Sequence, residues 1–155
     1  MGELYEIVLE EVPTKSLFLV LNKLTAYGSS LVRSEIQGDE SFDLQIDWNN
    51  SETFERIVEK IISGFALIGE IRTIDIGGLF LRNSGLRVIY YENKFDIEVN
   101  FKAENNTDLN AEKLSSFFCR LCKDFNVVQT FAGIEPASDQ ETRIFTGTKL
   151  GPIEL

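Results

Sequence analysis

A seven-residue alternation of apolar and polar side chains occurs twice in this chain. The first copy is Phe42-Asp43-Leu44-Gln45-Ile46-Asp47-Trp48 and the second is Phe95-Asp96-Ile97-Glu98-Val99-Asn100-Phe101. Period two is the signature of a strand with one packed face and one wet face. Phe42, Leu44, Ile46 and Trp48 fall on one side, and Asp43, Gln45 and Asp47 on the other. Phe95, Ile97, Val99 and Phe101 are likewise set against Asp96, Glu98 and Asn100. The segment C-terminal to each copy repeats as well. Phe54, Ile57, Val58, Ile61, Ile62 and Phe65 match Leu114, Phe117, Phe118, Leu121, Cys122 and Phe125 at one constant offset, with helical spacing. The chain therefore reads as an internal repeat, roughly 30–76 and 86–132, within one domain spanning 1–155.

The flanking segments complete the pattern. Tyr5, Ile7 and Leu9 alternate in a strand over 3–10. Pro13 and Thr14 open a helix whose stripe is Leu17, Val20, Leu21 and Leu24, stopped at Gly28. A strand over 30–37 turns at 38–40 into the first alternating copy. Asn49, Asn50 and Ser51 supply the cap of the next helix, with Gly64 as its stop, and a strand over 65–76 ends at Gly77-Gly78. Residues 86–92 and 94–103 form a hairpin turning near Asn93. A helix capped at Asn110 or Asp108 runs to Lys123, and a strand covers 126–132. Ser138 and Glu141 have capping-box spacing for one turn of helix, and 143–146 is a last short strand. The fold class is α+β: a mostly antiparallel sheet built from two ββαβ repeats with a leading βα unit. The first half has ferredoxin-like element order, and the helices cover one face.

Chemistry is constrained by what the sequence lacks. There is no His among the 155 residues, which removes the commonest general base and metal ligand. Gly77-Gly78 has no following Gly-Lys-Ser/Thr, so it reads as a turn and not a phosphate cradle. Cys119-Arg120-Leu121-Cys122 has C-x-x-C spacing. It sits at the end of a helix, where the dipole disfavours a thiolate, and no further Cys or His is available to complete a zinc site. Two ordinary cysteines in a reducing compartment account for it. The remaining candidates are carboxylates. Asp43 with Asp47, and Asp96 with Glu98, share strand faces and would suit Mg²⁺ or acid–base work. The wet side of any half-exposed strand explains them equally well. No catalytic residue, metal or cofactor is assigned.

Charge points to the partner class. Fifteen Lys and Arg stand against 25 Asp and Glu, a net of −10. No Lys/Arg cluster is present, which argues against nucleic acid. No apolar run approaches a membrane span, and the acidic start, Met1-Gly2-Glu3-Leu4, lacks the build of a secretion signal, so the expected location is the cytoplasm. The wet residues of the two repeated strands, Asp43, Gln45, Asp47, Asp96, Glu98 and Asn100, are the candidate protein-binding face. Glu6 and Glu10 are candidates to join them, with Tyr90 or Tyr91 as an aromatic anchor. In size, acidity and lack of catalytic machinery the chain resembles small acidic proteins that neutralise a toxin, such as bacterial immunity proteins. That resemblance rests on composition and transfers no residue roles. It implies a non-enzymatic inhibitor of a cognate basic toxin or enzyme. The alternatives are a carboxylate-dependent metal-binding enzyme and a structural subunit of a larger assembly.

Overall fold

The structure is a computed structural model that describes residues 3–26, 29–37 and 50–155. The expected strand over 42–48, with Asp43, Gln45 and Asp47, lies outside the described residues, as do Gly28 and the turn at 38–40.

The second alternating copy forms the strand β5, Lys94–Lys102, and its burial alternates without exception up to Phe101. Phe95, Ile97, Val99 and Phe101 are essentially inaccessible to solvent. The chain enters through β1 (Leu4–Val12), α1 (Thr14–Thr25), β2 (Leu31–Ile36), α2 (Ser51–Ile62), β3 (Leu67–Asp75) and β4 (Phe80–Tyr91). After β5 come α3 (Ala111–Phe125), β6 (Gln129–Ile134), β7 (Arg143–Thr146) and β8 (Lys149–Leu150). Among the described residues eight strands join one sheet in the order β2-β3-β4-β5-β1-β6-β7-β8, with antiparallel pairing throughout. The split βαβ arrangement is carried by β1, α1, β4, β5, α3 and β6, whose sheet order is β4-β5-β1-β6. The strands β2 and β3 extend the sheet beyond β4.

The three helices pack on the face that carries Ile7, Leu9, Leu67, Ile71, Leu86, Val88, Ile97 and Val99. Helix α1 lies between the other two: it contacts α3 directly, and Phe18 meets Phe54 of α2 edge-on at 5.1 Å. That position buries Ser16, Asn22 and Thr25 as well as the expected stripe of Leu17, Val20, Leu21 and Leu24. Asn50 and Asn110 cap α2 and α3, their side-chain oxygens accepting from the amides of Thr53 and Lys113 at 3.1 and 2.9 Å.

Four local expectations differ from what is found. Thr14 does not cap α1. Pro13 stands at that position without a side-chain bond, and the left-handed residue ending the helix is Ala26, φ 50°. The strand β1 runs past Glu10 because Glu11, φ 56°, is an extra residue opposite β5, so Val12 returns to the core face opposite Phe95. The first strand of the hairpin does not begin at 86: β4 runs from Phe80 straight through 83–85. The turn after β6 is a 3-10 turn, Gln140–Thr142, capped by Asp139 and not Ser138. The two glycines after β3 do form a turn: both amides donate to Asp75 Oδ1, at 3.1 and 2.8 Å.

Candidate functional site

With the helices on one side, the other side of the sheet presents the even-numbered residues of β1 as far as Glu10, before the bulge, and those of β5. Register places them in rows. Glu6 lies opposite Asn100 on one flank and Gly133 on the other, and Val8 lies between Glu98 and Phe131. On the next strand Arg87 is opposite Glu98, Ile89 opposite Asp96 and Gly85 opposite Asn100. Gly85 matters here because a Cβ at that position would run into the Asn100 side chain, which folds over it. Asp96, Glu98 and Asn100 therefore share this face, as the alternation requires. Glu6 and Glu10 join them from β1. Tyr91 lies on the same side at the end of β4 and is 62% exposed. Tyr90 does not join the face. Its ring turns to the helix side and meets Phe95 at 5.2 Å.

The carboxylates are not simply hydrated side chains. Asp96 Oδ1 accepts from the Glu11 amide at 3.0 Å and so closes the bulge in β1. Glu98 Oε2 accepts from Arg87 at 3.4 Å, a loose ion pair whose Glu98 side is only 21% exposed. Glu6 Oε2 accepts from the amide of Ala137 at 2.9 Å. Burial, then Glu6 and Asp96, push the Glu98 carboxyl above its ordinary range, against the pull of Arg87. Burial, then Asp96 and Glu11, likewise raise Glu10, against Arg143. Of these four carboxylates only Glu98 has an ion-pair partner among the described residues.

The segment that crosses this face, residues 135–142, carries no periodic signal. Ala137, fully buried, packs on Val8 and Phe131 in a small cluster of its own, on the side of the sheet away from the helices. Arg143 secures the crossing. Its guanidinium stacks 4.2 Å from the centre of the Phe131 ring and donates to the Ala137 carbonyl, to Thr146 Oγ1 and, at 3.5 Å, to the Ser138 carbonyl. One signal was present in the sequence: Arg143 is the single cation between Lys123 and Lys149.

The other chemical candidates resolve in place. Cys119 and Cys122 are both free thiols on α3, and burial, reinforced by Cys119, pushes the Cys122 thiol up to about 12. Among the described residues no three Cys, Asp or Glu side chains converge as metal ligands, and no helix is long and apolar enough to cross a membrane.

Residues 3–150 match the family described as PABL017 Cdi1I immunity protein. The chain belongs to that family. It is a non-enzymatic immunity protein that neutralises a toxin, which sets aside the carboxylate-dependent enzyme. A crystal structure of the toxic C-terminal tip of CdiA from Pseudomonas aeruginosa in complex with immune protein contains a chain of the same fold. It matches this immunity protein over 99% of both chains, at a TM-score of 0.77 and 23% sequence identity. No curated protein sequence matches.

Proposed function

We propose that this immunity protein neutralises its toxin by laying the open face of its sheet against a basic surface of that toxin, in the cytoplasm. The observation that carries the reading is the set of four carboxylates on the adjoining strands β1 and β5. Glu6, Glu10, Asp96 and Glu98 have a single ion pair between them among the described residues. Such a face attracts cations over a distance and orients the encounter. Asn100 lies in the same row as Glu6 and offers an amide to the same partner. Asp43, Gln45 and Asp47 belong to the proposed face by their alternation in the sequence. Residues 1–155 act in this reading as one domain, with the repeat over 30–76 and 86–132 supplying its two acidic strands. The solved relative, an immune protein in complex with a toxic tip, agrees with direct protein–protein neutralisation.

The test is protection of growing cells. Expression of the cognate toxin domain should arrest growth, and co-expression of the wild-type chain should relieve the arrest. A chain carrying Asp96→Asn, which keeps the acceptor for the Glu11 amide, and Glu98→Lys should fold and fail to protect. Full protection by that variant would place the binding site elsewhere.

A further inference from the structure

The segment crossing the open face, residues 135–142, changes the shape of what the toxin meets. It stands on β1 and β6, while no other described residues are packed on this side of β5 and β4 beside it. Its underside is tied down at Ala137, by the Glu6 carboxylate from below and by Arg143 from the side. Glu135, Asp139 and Glu141 within it are exposed. The strap is thus an acidic wall beside an acidic floor of Asp96 and Glu98.

Resting on the proposed function above, we propose that strap and strand form one docking corner, occupied by a single protruding Lys- or Arg-rich segment of the toxin. The choice of occupant is set by charge. The described cations at the corner are Arg87, already paired with Glu98, Arg143, whose donors go to two backbone carbonyls and a threonine hydroxyl, and Lys94 at the start of β5, outnumbered by the carboxylates around them. Glu10 and Glu98 are held above their ordinary range mainly by burial and by neighbours of the same sign, so an added cation is the group that would relieve them. A flat basic surface would meet the wall and leave the floor unfilled, whereas a protruding segment reaches both. Arg143 is then a positioning residue: it touches no partner and fixes the height and angle of the wall.

The test compares three pairs of substitutions in stopped-flow association with the purified cognate toxin domain. Glu135→Lys with Glu141→Lys alters the wall, and Asp96→Asn with Glu98→Gln alters the floor. Glu55→Lys with Glu112→Lys makes the same charge change on exposed positions of α2 and α3, across the sheet. The wall pair should slow association about fivefold at 10 mM salt and much less at 150 mM. The floor pair should also slow it, and the control pair should not. Wall and floor combined should be non-additive, because both meet one segment. Wild-type association by the wall pair, with the floor pair slowed, would overturn the corner and leave the strand face standing. Equal slowing by the control pair would reduce both readings to net charge.

Discussion

Replacing Glu10, Asp96 and Glu98 by Gln, Asn and Gln should make the protein more stable at neutral pH and slower to find its toxin. The amides keep the shapes and an acceptor oxygen, so the Glu11 amide retains its partner on residue 96. The gain in stability comes from the raised carboxyls of Glu10 and Glu98. Because burial and like charges hold them above the ordinary 4.5, the folded state binds their protons more tightly than the unfolded state. Their stabilising contribution is complete below 4.5 and is lost as pH rises through the folded values. The amides do not titrate, so the variant's melting temperature should exceed that of the wild type at pH 7, and the difference should close below pH 4.5. Association moves the other way. One toxin cation about 10 Å from each carboxylate at encounter contributes roughly 0.4 kcal/mol per charge in water. With a screening length of about 30 Å at 10 mM salt, three lost charges amount to about 0.9 kcal/mol, a slowing of roughly fivefold. At 150 mM the screening length of about 8 Å leaves less than about a twofold effect. Calorimetric melts from pH 4 to 7 and association rates at the two salt concentrations check both halves. An unchanged rate at 10 mM salt, or a variant less stable than the wild type at pH 7, would refute the reasoning.

Three further outcomes rest on particular contacts. Ile97→Asp would place an unpaired carboxylate at a fully buried position between β1 and β4, and should unfold the protein with a loss above roughly 4 kcal/mol in urea titrations. Glu6→Ala should leave the buried Ala137 amide without its acceptor, at about 1–3 kcal/mol, and speed hydrogen exchange there, whereas Glu6→Gln should do neither. Cys122, with its thiol near 12, should resist iodoacetamide at pH 8 until the protein is unfolded, and mass spectrometry of the labelled chain reads this directly.

Local periodicity made most elements readable, and long-range contact decided what it missed. The alternation gives β5 and its wet residues, and the apolar spacing gives α2 and α3. Asn93 marks the tight turn after β4, where Glu92 and Asn93 both take positive φ. The bulge at Glu11 was not readable, because the pattern of β1 simply breaks there; only the pairing of Val12 with Phe95 shows that the strand resumes. Asn106 looked like one polar residue in a loop. It is buried, and its side chain bonds both backbone groups of Arg82 beyond the end of β5, standing in for a strand partner. Neighbours in the sheet were equally silent. The first repeated segment places β2 beside β3, while the second places β4 beside β5 and leaves β6 beside β1. Similar amphipathic patterns fix which side of each strand is buried, and say nothing about which strand lies next to it.

The candidate site was legible as a face and illegible as a shape for the same reason. A strand's two sides are independent, so the acidic residues of β5 can be named from spacing alone. The strap is a loop, and what holds it is one arginine stacked on Phe131 and one glutamate turned to an amide, contacts between residues far apart in the chain. This division also suits a protein that must match one partner. The packing that keeps it folded lies on the helix side, in Phe95, Phe101, Phe118 and Phe145. The charges proposed to select the toxin lie across the sheet, where substitution reaches the core only through the pleat. Glu6 and Asp96 are the exceptions. Each is on the binding face and each also holds backbone, so these two positions should tolerate an amide but not an apolar residue, as should Asp139, which caps the turn in the strap, while Glu98, Glu135 and Glu141 remain free to follow the partner's charge.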